Sequence, residues 1–258
     1  MVIDKIYPRP TVKQVIFQIT YPNLFYLENK IGDIQQRIMK EFPRSKLLLR
    51  SPMIIANVGP EQKIDIPSDQ HNTNPARKIW QFESKNKTLL SISSNSLDIT
   101  SQFHKTYDLG DDDSKKFKCA IKHAVDVFID EMKLPLINRI GLRYIDECPI
   151  KAKDNETLLS WYNSKFPLDK FSIADATAMT FRTLIKKGNY NLGYIESLEK
   201  NDKGEDVLIL DFDGFAANVE DVSKYINITD DLHRLISIAY KETIKDPVYS
   251  WMEETEVM

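Results

Sequence analysis

The 258 residues are 42% hydrophobic and 28% charged, the balance of a globular chain long enough to bury a substantial core, which argues against extended disorder. Lys and Arg total 35 against 38 Asp and Glu, a formal net charge of −3, so no overall positive field draws nucleic acid or an anionic membrane, and non-specific nucleic-acid binding is not expected. No apolar run approaches the roughly 20 residues of a membrane span, and the opening MVIDKIYPRP lacks the apolar core of a signal peptide, so a soluble cytoplasmic protein without membrane contact is expected.

In chain order, VKQVIFQIT at 12–20 alternates Val15, Phe17 and Ile19 against Gln14, Ile16 and Gln18, predicting a strand with one wetter face. Leu24, Leu27, Ile31, Ile34, Ile38 and Phe42 then recur at intervals of three and four, the spacing of one helix stripe, which Pro43 stops. Residues 45–58 read as a strand broken by Pro52, and a polar loop follows to about Ala76. The runs at 78–84 and 87–93 flank Lys85 and Asn86 and predict a hairpin with a tight turn. After SLDIT, the cluster GDDDS places Ser114 as the N-cap of a second amphipathic helix carrying Phe117, Ile121, Ala124, Phe128 and Met132. Leu134 and Pro135 close that helix, and residues 136–150 form a distinctive strand.

The order β-α-β-β-β-α-β over 1–150 predicts an α+β fold, with mixed or mostly antiparallel sheets, helices packed on one face, and a relation to ferredoxin-like folds. The charged linker KAKDNE at 151–156 is the expected boundary to a second half, residues 151–258, packed closely on the first. That half opens with a short helix in NETLLSWYNSKF, where Trp161 and Phe166 should enter a core. Strands at 176–186, 189–200 and 206–215 are joined by KKGN and NDKGED, turn chemistry that predicts an antiparallel meander. A helix from about Asp230 carries Leu232, Leu235, Ile236, Ala239 and Tyr240 on one face, and Pro247 breaks it before Trp251.

Cys119 and Cys148 are the only cysteines and read as buried reduced thiols, while His71, His104, His123 and His233 are scattered with no CxxC or HxH pattern. No metal site is expected. Only 8 glycines occur and none forms a phosphate-binding loop, so no nucleotide fingerprint and no cofactor is expected. His104 and His233 have no nucleophile pattern nearby. Trp80 and Phe82 share a strand face, and with Trp161 and Trp251 they read as core more readily than as a stacking platform.

The stretch VLILDFDGF at 207–215 has the outline of a dehalogenase-type phosphatase loop, but three observations oppose that reading. Roughly forty residues follow it where such doubly wound folds continue for more than about a hundred, Phe215 stands where a Thr would contact phosphate, and the preceding turn makes the strand antiparallel. Alternation puts Leu208, Leu210 and Phe212 opposite Ile209, Asp211 and Asp213, leaving a solvated strand face or a carboxylate pair facing a cleft. In NRIGLRYID, Arg139, Gly141 and Arg143 fall on one face, so two guanidiniums flank a position with no side chain. They suit an anion or nucleotide, or pairing with strand acids such as Asp98, Asp211 or Asp213.

Five stretches, YPRPTVKQVIFQITYP, IWQFES, RIGLRYID, DFDGF and LHRLI, together resemble a sporadically distributed bacterial family of about this length, RIGLRYID being the specific one. The resemblance covers essentially the full chain and implies no activity and no active site; the family's patchy distribution implies a mobile or defence-associated setting. The expected function is a binding or interaction protein without catalytic chemistry, an accessory or sensor component that recognises an anionic small molecule at Arg139, Gly141, Arg143, Asp211 and Asp213, or a protein partner. Two alternatives are a metal-assisted nuclease or phosphodiesterase using Asp211 and Asp213 with Arg139 and Arg143, and a protein-binding regulator or immunity-type protein with an apolar patch near Trp251.

Overall fold

A computed structural model describes residues 5–50 and 77–254. The elements are β1 (Val12–Thr20), α1 (Leu27–Ile38), β2 (Arg44–Arg50), β3 (Arg77–Glu83), β4 (Leu89–Ser93), β5 (Ser96–Ser101), α2 (Phe117–Met132), β6 (Ile137–Pro149), α3 (Asn155–Trp161), β7 (Met179–Lys187), β8 (Tyr190–Lys200), β9 (Asp206–Val219), α4 (Tyr225–Thr243) and α5 (Asp246–Glu253). The nine strands lie in one sheet, ordered β2-β3-β4-β5-β1-β6-β9-β8-β7, and every neighbouring pair is antiparallel. The α+β class is therefore correct. β6 pairs with β9 from Ile137↔Val219 to Pro149↔Val207, so the sheet runs continuously through the chain on both sides of residues 151–156.

The alternation read from the sequence decides which face is dry. Val15, Phe17 and Ile19 of β1, Ile140 and Leu142 of β6, and Leu208, Leu210 and Phe212 of β9 are buried on one face. Ile34 and Ile38 of α1, Ile121 and Phe128 of α2, and Leu232 and Ile236 of α4 complete the same core. Each such side chain contributes about 1.5–3 kcal/mol by leaving water. α1 packs against α2, and α4 lies across β6 and β9. Gly214 of β9 permits this close approach, because a Cβ there would meet Ile236 Cδ1 at 3.3 Å and Leu232 Cδ2 at 3.6 Å.

Several local expectations need correction. SLDITS is a strand, β5, joined to β4 by Ser94 and Asn95, and Ser93 Oγ closes the turn by accepting from Ser96 N at 3.2 Å. The first half therefore has one more strand than expected, hidden because the Ser and Asn cluster reads as a loop. The β3–β4 connection is wider than the expected two-residue turn: Ser84 N donates to Thr88 O at 2.9 Å and Lys87 has φ 62°. Ser114 is not the N-cap of α2. Asp112 accepts from Ser114 N in a separate 3₁₀ turn, and the first amides of α2 donate to loop carbonyls instead, Phe117 N to Thr106 O at 3.1 Å and Lys118 N to Tyr107 O at 3.0 Å. α4 begins at Tyr225, earlier than Asp230, and Pro247 opens α5 rather than ending the helical region, since proline lacks only an amide that a first helical turn leaves unbonded. Cys148 is buried and Cys119 partly exposed, and neither forms a disulfide. The expected break at Pro52 and the polar loop after it lie outside the described residues.

Candidate functional site

The five residues singled out in the sequence do come together, on the sheet face opposite the helices. In the register Gly141 faces Phe215, Arg143 faces Asp213 and Ile145 faces Asp211. Arg139 Nη2 donates to both oxygens of Asp213 at 2.8 Å and its Nη1 donates to Gln18 Oε1 at 3.1 Å. Its guanidinium lies 4.7 Å from the centre of the Phe215 ring and folds back over Gly141, where a Cβ would meet Arg139 Nη1 at 2.1 Å. The gap at Gly141 is thus occupied by a neighbouring side chain of the same strand. Arg143 Nε donates to Asp211 Oδ1 at 2.7 Å and its Nη2 to Oδ2. Two guanidiniums meet two carboxylates, and the patch is neutral. Among the described residues no group of three or more His, Cys, Asp or Glu could hold a metal ion. Phe82 is buried, Trp80, Trp161 and Trp251 pack against the core, and Arg9 lies 3.8 Å over the Trp251 ring.

The dry side of the same strand builds a different site. Beyond Leu142, the inward positions of β6 are Tyr144, Asp146 and Cys148, and here the core opens into a cavity of about 310 Å³ between β6, α4, the segment 5–12 and the loop 105–109. That volume is at the low end for small-molecule pockets. Tyr144 is 7% exposed, and its hydroxyl, fully buried, has no hydrogen-bond partner among the described residues. Asp146, 3% exposed, accepts from Thr11 Oγ1 at 2.8 Å, and Thr11 Oγ1 lies 2.6 Å from the Tyr240 hydroxyl. Burial pushes the Asp146 carboxyl up to about 7, against the opposing pull of the Thr11 hydrogen bond and the charge of Lys105. Burial likewise raises the phenols of Tyr144 and Tyr240.

An aromatic wall closes the other side. The His233 ring of α4 stacks on Tyr107 at 4.3 Å and 15°, and lies 6.0 Å from the Tyr144 ring. Burial lowers His233 to about 4, so the imidazole is neutral at pH 7. Tyr107 is held by its hydroxyl, which donates to Asp230 Oδ1 at 2.7 Å, and Lys118 bridges Asp230 at 3.0 Å and Asp108 at 3.1 Å. The segment 5–12 is clipped over the cavity from the far side: Arg9 N donates to Met252 O at 3.1 Å, Lys5 pairs with Glu253 at 2.6 Å, and Lys105 Nζ donates to Val12 O at 2.6 Å.

Compared with protein-family models, with curated proteins and with solved structures, the chain matches none. The cavity residues were missed in the sequence, although one signal was present. Ile140, Leu142, Tyr144, Asp146 and Cys148 share the apolar phase of β6, and a carboxylate in that phase is the anomaly that a buried polar group leaves in a sequence. His233 gave none, because Tyr107, the partner that encloses it, is remote in the chain.

Proposed function

We propose that this chain binds a small organic molecule in the cavity beneath α4, acting as a sensor or accessory component with no covalent chemistry of its own. The observation that carries the reading is Tyr144, a lining residue of the cavity whose hydroxyl is buried and unpartnered among the described residues. An unbonded buried hydroxyl costs about 1–3 kcal/mol, and a ligand able to bond it recovers that cost. The surface of the cavity is mostly apolar, and polar groups of β6, α4 and the loop 105–109 converge on it, as in a ligand pocket. An anionic ligand at Arg139 and Arg143 has less support, because it would have to displace Asp213 and Asp211 from hydrogen bonds already made. A metal-assisted phosphodiesterase using the same four residues meets the same obstacle, each carboxylate being held by a guanidinium.

A thermal-shift screen of a broad fragment collection tests the proposal, with wild type beside Tyr144→Phe and Arg143→Ala. A ligand at a hundredfold excess over its Kd stabilises the folded state by about 2.7 kcal/mol. Tyr144→Phe should fold as well as wild type and should weaken the hits. Hits that survive Tyr144→Phe and vanish in Arg143→Ala would move the site to the outer face of the sheet and overturn the reading.

A further inference from the structure

We propose, resting on the cavity as the ligand site, that the ligand presents a basic nitrogen group of amidine or amino-heteroaromatic type to Asp146 and lays its planar ring against the His233 and Tyr107 wall. The charge inventory around the cavity points to this class. Three of its four cations pair with acids, Lys118 with Asp108 and Asp230, Arg234 with Asp231 at 3.0 Å and Lys5 with Glu253, while the fourth, Lys105, donates to the Val12 carbonyl and its charge acts on Asp146. Among the carboxylates, Asp108 and Asp230 are held by Lys118. Asp146 is different. Among the described residues it makes one hydrogen bond, from the neutral Thr11 hydroxyl, and no ion pair. A buried carboxyl left in that state is stabilised by a proton or by an N–H-bearing cation, which agrees with its upward displacement toward neutrality.

Geometry narrows the class further. Tyr144 and Asp146 are two residues apart on one face of β6, which sets their backbone positions about 6.6–6.8 Å apart. A single planar group of ring size spans that interval. Its forked N–H donors can meet the carboxylate, whose oxygens each carry two lone pairs, while its far edge meets the Tyr144 hydroxyl as donor or acceptor. The neutral His233 ring, stacked on Tyr107, offers a flat aromatic face at the side. A carboxylate or phosphate ligand would instead be repelled by Asp146, and the one lining cation without an acidic partner among the described residues, Lys105, is shared with that carboxyl and already donates to the Val12 carbonyl. A sugar would find mainly aromatic and aliphatic walls.

Benzamidine, benzamide and benzoate share one planar skeleton and carry positive, zero and negative charge, so calorimetric titration of the three against the full chain at pH 7.5 isolates the charge preference. Benzamidine is expected to bind about tenfold or more tighter than benzamide, the scale of one hydrogen bond to a charged group, with benzoate the weakest. Asp146→Asn, which retains an acceptor for Thr11, should bring benzamidine and benzamide to within about twofold of each other, and Tyr144→Phe should weaken both. Benzoate binding as tightly as benzamidine, or a benzamidine preference that survives Asp146→Asn, would overturn the inference. Should Asp146→Asn not fold, carbonyl NMR of wild type labelled at its aspartate carboxyls replaces it, and an Asp146 signal that stays unmoved on adding benzamidine overturns the inference equally. Failure of all three probes, beside Tyr144-dependent hits in the fragment screen, would overturn this inference and leave the cavity reading standing.

Discussion

At Asp146 the fold accepts a carboxyl where an apolar side chain would be the ordinary choice. Its ordinary value of 3.8 rises to about 7, chiefly through burial, and the direction fixes the sign of a pH effect. A folded state that holds its proton up to about 7, against 3.8 when unfolded, binds more protons across that interval, so the stability owed to this group falls as pH rises through it and stays low above it. Thr11 and, through it, Tyr240 are hydrogen-bonded at the carboxyl, burial raises the Tyr144 and Tyr240 phenols away from this interval, and the charge of Lys105 opposes the rise while that of Asp211 adds to it. Asp146→Asn removes the titration and keeps an acceptor for Thr11. It should therefore melt above wild type at pH 8, by on the order of a few kcal/mol at most, with the gap closing toward pH 4; melting curves of both proteins across that range check it, and a constant gap would mean that burial does not raise this acid. Gly141 shows the opposite economy, an absent side chain that makes room for the Arg139 guanidinium over the strand.

Between elements, the decisive contact is that of α4 on β9. Gly214 faces Ile236 and Leu232 at distances that leave no room for a branched side chain, so the helix rests on backbone at that point. Gly214→Val should cost about 1–3 kcal/mol by overpacking and should also weaken any cavity ligand, because α4 carries His233. Gly193→Ala, on the neighbouring strand, is the control: its Cβ would meet nothing closer than 3.7 Å, and urea denaturation should place it near wild type. The outer face of the same strands is held differently. Arg143 pairs with Asp211, whose side chain is 8% exposed, and Arg139 with Asp213, at 36%, so the first pair is the more costly to break, since its removal strands a buried charge, whereas a pair near the surface is worth about 1 kcal/mol or less.

Across the whole molecule, one antiparallel sheet ties the chain together. β6 and β9 pair along their full length, and no helix among the described residues is long and apolar enough to cross a membrane. Because the chain leaves this shared sheet after Pro149 and re-enters it at Met179, so that residues on both sides of 151–156 belong to one sheet, the molecule should unfold as one cooperative unit. Single-tryptophan variants retaining Trp80 near one sheet edge or Trp161 of α3 should report the same denaturation midpoint; separated midpoints would mean two independently folding halves. Period and punctuation along the chain settle the strand faces of β1, β6 and β9, the apolar stripes of α1, α2 and α4, and the antiparallel meander of β7, β8 and β9, since alternation and hairpin turns dictate which residues share a face. That Arg139 and Arg143 share a face is legible in the same way, but that Asp213 and Asp211 hold them is decided by the pairing of β6 with β9. The α2 start, the extra strand β5 and the cavity arise only in three dimensions. Loop carbonyls of Thr106 and Tyr107 cap α2, Ser93 closes a turn that composition disguises, and Tyr144, Asp146 and His233 share an enclosure only because α4 and the segment 5–12 fold over β6 from distant parts of the chain.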